Sequence, residues 1–322
     1  LEGNDKVVIM GHQLGDVDSF GASIGIYRVA KALNKKAFIV INQITTTVRP
    51  IMNRFKDNPD YDKTMFLSSN EVFDYVDNST VVVVVDVNRP SYTECKELLT
   101  KCKNIVVLDH HRQGAEVIEN AVLSYIEPYA SSSCEMVAEI LQYIQDGLKI
   151  KPVEADAMYA GMLIDTNNFM NKTGVRTFEA AAFLKRSGAD ITRVRKLLRD
   201  DMKSYRAKAE AANNSELFMD SYAISICHGD DVESPTVVGA QVANELLDID
   251  GIKASFVVTE YNGKLYISAR SIDEVNVQII MERLGGGGHM TIAGAQLQGK
   301  NPEEGVEIIK QTLTDMIKEG AI

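Results

Sequence analysis

Cysteine is scarce in this 322-residue chain. There are four, Cys95, Cys102, Cys134 and Cys227, and no two form a C-x-x-C pair. A disulfide framework or a cysteine-rich zinc fold is therefore excluded, and the thiols are expected to be reduced and mostly buried in a cytoplasmic protein. Long apolar runs are missing as well. A bilayer crossing takes about 20 apolar residues, whereas the run Thr80–Val85 has the length of a buried strand. No signal peptide or lipidation motif is visible. The chain opens on Leu1-Glu2 rather than Met. That pair is common in cloning scars, so the expectation is an excised cytoplasmic piece of a longer chain, with room for a membrane anchor or sensor domain in the rest and no membrane contact by this piece. Basic residues are the minority, 34 Lys and Arg against 45 Asp and Glu, for a net charge of −11. Such a surface repels long nucleic acids, and no basic stripe with interleaved aromatics offsets it. A small phosphorylated substrate stays compatible, because metals and a few local cations can reverse the field inside one cleft.

What is present is an ordinary soluble composition, 45% hydrophobic and 25% charged, and length enough for two domains. Strand and helix patterns alternate in the first half: strands at Val7–Met10, Ala37–Ile41, Thr80–Val85 and Ile105–Leu108, and helices at Phe20–Leu33, Ser131–Ile144, Ala155–Ile164 and Arg176–Arg186. Short apolar runs spaced by helices predict a doubly wound α/β domain on a parallel sheet over residues 1–189. Residues 190–217 are charged, free of Gly and Pro, and helical in period, which predicts one long connecting helix across 190–219. A smaller α/β domain is expected at 220–322. Its strands are Tyr222–Cys227, Ala254–Glu260 and Lys264–Ala269; a helix follows at Asn276–Leu284 and another closes the chain at Pro302–Lys318. No internal repeat or low-complexity segment appears.

Chemistry-bearing residues fall at strand ends. His12, Asp16 and Asp18 follow the first strand in an H-x3-D-x-D pattern, where open α/β sheets gather their ligands. Asp16 and Asp18 on one tight loop can reach two different ions; the alternative is a polar turn with an Asp N-cap for the helix that follows. Asp86 closes the strand Val81–Val85, and Asp109, His110 and His111 follow Ile105–Leu108. Asp165 ends an apolar helical segment, where an unpartnered carboxylate would be costly to bury. Only five histidines exist, and His12, His110 and His111 are three of them; His228 reads as a loop residue. Imidazole with several carboxylates suits a harder ion such as Mn²⁺ better than structural zinc. Two ions about 3.5–4 Å apart can share one bridging carboxylate, which suits in-line attack on phosphorus. In the second half, Gly285, Gly286, Gly287 and Gly288 precede His289. They read as a flexible turn or as backbone N–H groups approaching a phosphate without Cβ obstruction. Ser131–Ser133 can cap a helix, with Ser132 and Glu135 at capping-box spacing, or touch a phosphate.

H-x3-D-x-D, a lone strand-end Asp, Asp-His-His and a late Asp together resemble the four motifs of the DHH phosphoesterases. That group includes RecJ exonucleases, nanoRNases that also cleave pAp, and manganese pyrophosphatases. The glycine run with His289 resembles the GGGH motif of the DHH-associated C-terminal domain, so the likeness spans essentially the whole chain. Ile9-Met10-Gly11-His12 through Asp16-Val17-Asp18-Ser19-Phe20-Gly21-Ala22 looks most like the GdpP-type cyclic-di-AMP phosphodiesterases.

The resemblance implies roles for these residues and an activity. His12 and Asp16 would bind a first divalent metal, and Asp18, His110 and Asp165 a second, with Asp86 bridging. Asp109 would sit beside the first metal or orient a ligand, and His111 would face the substrate phosphate. Asp109, His110 and His111 thus form the expected catalytic group. Arg270 and Gly285, Gly286, Gly287, Gly288 and His289 would grip the nucleotide. The implied activity is two-metal, Mn²⁺-dependent hydrolysis of cyclic-di-AMP to linear pApA. A nanoRNase or pAp phosphatase is the alternative, acting on short oligonucleotides. A non-catalytic nucleotide sensor is disfavoured by the full ligand set. The residues do not identify the base, and a homodimer is left open.

Overall fold

The computed structural model describes residues 5–56, 58–144, 147–229, 231–272 and 274–322; Leu1 and Glu2, read above as a scar, lie outside them. The chain divides into two compact units, Leu1–Arg199 and Asp200–Ile322. No helix among the described residues is long and apolar enough to cross a membrane.

The first unit runs β1 (Lys6–Met10), α1 (Val17–Ala32), β2 (Lys36–Val40), α2 (Arg49–Lys56), β3 (Phe66–Leu67), β4 (Thr80–Val85), α3 (Glu97–Lys101), β5 (Asn104–Asp109), β6 (Leu123–Ile126), α4 (Ser133–Tyr143), α5 (Pro152–Asp165), α6 (Val175–Arg186) and α7 (Ile191–Leu197). Strand β4 is almost pure valine and buried along its whole length, as a strand covered on both faces requires. The six strands are parallel and ordered β3-β2-β1-β4-β5-β6. Separate apolar cores cover the two faces. The order reverses between β1 and β4, so the carboxyl ends of those strands form the crevice where open α/β sheets bind ligands. Helix α1 begins three residues earlier than its periodicity indicates, with Asp16 as N-cap. Asp18 is thus in the first helical turn rather than on a loop.

The second unit runs α8 (Met202–Asn213), β7 (Glu216–Phe218), β8 (Tyr222–Cys227), α9 (Pro235–Leu246), β9 (Ala254–Tyr261), β10 (Lys264–Ser271), α10 (Val277–Arg283), β11 (Gly287–Gly288), β12 (Ile292–Gln298) and α11 (Pro302–Lys318). Its sheet, ordered β11-β12-β10-β9-β8-β7, is antiparallel except for the pair β8–β9.

One long helix across 190–219 does not form. Helix α7 stops at Leu197, and Asp201 starts α8 by accepting the backbone N–H groups of Lys203 and Ser204. The cap outweighs the continuous helical period. Helix α8 is also no free linker: Ala207 and Ala211 pack into the second unit's core, and Ser225 Oγ donates to the Ala211 carbonyl at 2.6 Å. The glycine run is no mere turn either, because Gly287 and Gly288 pair with Gly294 and Ala293 as strand β11.

Candidate metal centre

The crevice at β1 and β4 gathers the residues the sequence singled out. Asp16 does two things at once. Its Oδ1 accepts the Ser19 N–H at 2.9 Å to cap α1, leaving Oδ2 3.5 Å from His12 Nε2. Asp86 follows β4 with φ at +62°, a left-handed conformation that Asp tolerates better than most residues. The turn places its carboxylate between two groups. Oδ2 lies 3.4 Å from His12 Nε2, and Oδ1 lies 3.4 Å from His110 Nε2. His110 Nε2 also faces Asp165 Oδ2 at 3.1 Å and Asp18 Oδ2 at 3.9 Å. Three sets of converging donors result, His12–Asp16–Asp86, Asp18–His110–Asp165 and Asp86–His110–His111, the atoms of each within 4.8 Å of one another. His111 Nδ1 reaches toward Asp86 Oδ1 as well, at 3.7 Å.

Residues outside the sequence motifs hold this arrangement. Both oxygens of Asp18 accept N–H groups from the start of α4, Ser133 at 2.7 Å and Cys134 at 2.9 Å. A helix N-terminus stabilises a carboxylate, and here its donors are already engaged by Asp18. Ser132 caps α4 by accepting the Glu135 N–H. Glu135 turns instead to Ser131 and to Thr177 Oγ1, so only half of the capping box forms. Ser133 Oγ donates to Asp86 Oδ1 at 3.0 Å. Serine triplets occur at many helix starts, which is why sequence alone gave Ser133 no such role.

Asp109 is fully buried and belongs to none of the converging sets. Its Oδ1 accepts the His111 backbone N–H at 3.1 Å and pairs with His111 Nδ1 at 2.8 Å. The expected places were beside the first metal or orienting a ligand; the hydrogen bonds of Asp109 Oδ1 run to His111. His111 itself is about half exposed. His228 is an exposed loop residue, and the four cysteines are free and buried.

Electrostatics define the chemistry the site favours. Burial raises the Asp18 carboxyl well above its usual range, and the charges of Asp165 and Asp86 push it further. Burial likewise raises Asp165, with Asp16 and Asp86 adding to it and His110 partly offsetting. Burial would raise Asp86 too, but His110 and His12 outweigh that and hold it low. For the imidazoles burial works downward and the facing carboxylates win, carrying His12 up to about 11 and His110 up to about 12. His110 Nε2 is buried without a hydrogen bond, lying among three carboxylates and bonded to none. An orphaned imidazole nitrogen amid surplus negative charge, with no thiolate in any of the sets, fits divalent cations.

In the second unit, Arg270 on β10 is half-buried, and burial lowers its pKa to about 10. Nε donates to Asn244 Oδ1 at 3.0 Å and Nη1 to the Ala269 carbonyl at 2.9 Å. No carboxylate among the described residues is ion-paired with it. Gly285 and Gly286 line a pocket of about 380 Å³ with Thr236, Tyr266, Ser268 and Gln296. A Cβ on Gly286 would come within 2.1 Å of the Gly294 carbonyl, so only glycine fits there. Arg270, Gly287, Gly288 and His289 do not line that pocket; His289 is exposed where β11 turns into β12, its N–H donating to Ile292 O at 2.7 Å.

Fold, strand-end ligands and second unit together define a DHH-type phosphoesterase chain. The DHH family N-terminal domain matches residues 6–162 and the DHHA1 domain residues 220–319, and the chain belongs to the DHH family. It is 41% identical over 323 residues to the cyclic-di-AMP phosphodiesterase GdpP of Bacillus subtilis (strain 168), covering 98% of this chain and 49% of that protein. It is 38% identical over 298 residues to the cyclic-di-AMP phosphodiesterase PdeA of Listeria monocytogenes serotype 1/2a (strain 10403S), covering 92% and 45%. The chain thus spans about half the length of these curated relatives. In fold it is similar to an exopolyphosphatase-related protein from Bacteroides fragilis, with a TM-score of 0.80 and 20% identity over 97% of this chain and 92% of that one.

Proposed function

We propose that this chain is a two-metal, Mn²⁺-dependent phosphodiesterase that hydrolyses cyclic-di-AMP to linear pApA. The observation that carries the reading is Asp86, one carboxylate whose two oxygens face two different sets of imidazole and carboxylate donors. His12 and Asp16 would hold one ion, Asp18, His110 and Asp165 the other, and Asp86 both. Bound there, divalent ions supply positive charge to the phosphate oxygens and acidify the attacking water. The protein's own groups do the rest. Ser133 and the start of α4 fix Asp86 and Asp18. Burial pushes the pKa of the His111 ring down, but Asp109, which accepts from Nδ1, and Asp86 outweigh it and raise it. The protonated ring donates from Nε2 to a phosphate oxygen whose charge rises in the transition state. Arg270, a guanidinium without an acidic partner among the described residues, takes the phosphate that does not react, with the Gly285–His289 segment closing on the nucleotide. Water oxygen bonds to phosphorus and the P–O3′ bond breaks, leaving a 3′-hydroxyl and a 5′-phosphate. The identities to GdpP and PdeA support the choice of cyclic-di-AMP.

The test is a product assay with Mn²⁺ on cyclic-di-AMP, cyclic-di-GMP, pApA, pAp, short RNA and single-stranded DNA. Cyclic-di-AMP should be cleaved fastest, with pApA accumulating. Faster turnover of pApA or pAp would move the protein to the nanoRNase branch. Chelation should abolish activity, and Asp86→Ala should lose both ions; full turnover by metal-free protein would refute the two-metal reading.

A further inference from the structure

Asn88 lies two residues beyond Asp86 and outside every motif so far considered. It is only 4% exposed. Its Nδ2 donates to Asp109 Oδ2 at 2.6 Å and to the His111 carbonyl at 3.2 Å. Both amide hydrogens are thereby used on acceptors, which fixes the amide's orientation: a flip would set Oδ1 against a carboxylate and a carbonyl. The orientation is kept even though Oδ1 is left buried without a hydrogen-bond partner. A buried acceptor without a donor costs free energy, so the donor side of the amide is the side the fold uses. The backbone of Asn88 is pinned too, its carbonyl accepting the Ile118 N–H at 3.1 Å.

Asp109 is the group that needs this donor. It is completely buried, and its Oδ1 is taken by the backbone N–H and the ring Nδ1 of His111. Asn88 supplies the hydrogen bond to Oδ2. The carboxylate is then held from both ends and cannot rotate without breaking a bond. The imidazole it grips is fixed in plane and in the nitrogen it presents.

We infer that Asn88 is a positioning residue that acts on His111 through Asp109, in a buried Asn88–Asp109–His111 relay. Its side-chain hydrogen bonds run to Asp109 and the His111 carbonyl and to none of the donors proposed to bind metal. Its loss should therefore disorder the His111 ring and leave the metal sites in place. Supporting groups behind a functional side chain typically contribute about 10–100-fold to affinity or activity.

The experiment compares wild type with Asn88→Leu, which keeps nearly the same volume and removes the donor. Nitrogen-15 NMR of the Mg²⁺-loaded, diamagnetic protein reads the His111 ring, assigned by loss of its signals in His111→Gln. In wild type the Nδ1–H bonded to Asp109 should be protected from exchange with water and shifted downfield. In Asn88→Leu it should exchange and broaden, with metal content by elemental analysis unchanged. The activity arm presupposes phosphodiester hydrolysis: kcat should fall about 10–100-fold with KM little changed. Should Asn88→Leu not fold, Asn88→Asp, which sets an acceptor against Asp109, carries the same expectations. A protected Nδ1–H and normal kcat in the variant would overturn the inference. So would a loss of bound metal as large as that of Asp86→Ala, which would make Asn88 a support of the ligand loop. A wild type inactive on every phosphodiester would sink the proposed function, while the NMR arm would still decide the role of Asn88.

Discussion

Neighbouring histidines on one strand end carry different environments. His110 is buried with Nε2 among Asp165, Asp86 and Asp18; His111 is half-exposed, with Nδ1 held by Asp109. The difference predicts different losses. His110→Ala should strip metal, because it removes the imidazole at the centre of one donor set. His111→Ala should keep its metal and lose turnover, by about 10²–10³-fold if the ring donates to charge that develops on phosphate. Metal content measured on both variants checks this, and equal losses would mean the division of roles is wrong. His12, Asp16, Asp86 and the Asp109–His111 triplet were readable in the sequence because each lies within a few residues of an apolar run that had to be a strand. Ser133 and Asn88 were not. Serine and asparagine are common in caps and turns for local reasons, and only the folded chain brings Ser133 to Asp86 across 47 positions.

Elements with a long regular pattern were equally readable, whether buried throughout like β4 or on one face like α11. Strand β4 and helix α11 occupy the residues the pattern indicated. Short or half-exposed edge pieces were not: β3 is two residues long and β6 is exposed at Leu123 and Ser124, so neither repeats a pattern long enough to detect. The interruption between α7 and α8 was masked because Asp201 sits among charges that fit a solvated helix face. One close contact between elements bears on the centre. A Cβ on Gly161 of α5 would lie 2.5 Å from Cys134 Sγ, 2.9 Å from the Asp18 Cα and 3.0 Å from the Val17 carbonyl. Two of those atoms are backbone at the start of α1, and backbone cannot step aside as a side-chain tip can. Gly161→Ala should thus force α5 away from α1, at about 1–3 kcal/mol for overpacking. At about 2–4 °C per kcal/mol for a domain of this size, the melting temperature should drop by several degrees. Because Asp18 is displaced, Mn²⁺ affinity should fall as well. Thermal unfolding with and without Mn²⁺ reads both effects, and an unchanged melting temperature would show that the contact relaxes freely.

For the molecule as a whole, the division of chemistry between the two units is sharper than the sequence could show. Every converging imidazole and carboxylate set belongs to the first unit, Leu1–Arg199. Arg270 and the Gly285–His289 segment belong to the second. The acidic balance of the chain, −11 overall, makes Arg270 conspicuous. Its guanidinium is partly desolvated and has no ion pair among the described residues, a state in which a phosphate is an apt partner. The glycine run was recognisable as special, but its form was not, since strand β11 exists only through pairing with β12. If the second unit grips the part of the substrate that does not react, Arg270→Ala and His289→Ala should lower kcat/KM for cyclic-di-AMP with bound metal unchanged. Removing one charge-assisted contact gives a loss of about 10–100-fold, from roughly 1.5–3 kcal/mol. Part of that loss can appear in kcat, because remote binding energy positions the reacting phosphate. Bis-p-nitrophenyl phosphate has no second nucleotide to grip and should be hydrolysed at nearly the wild-type rate. Both substrates are therefore assayed on both variants. Equal losses on the two substrates would place the damage at the metal centre, and undiminished cleavage of cyclic-di-AMP would remove Arg270 and His289 from substrate binding.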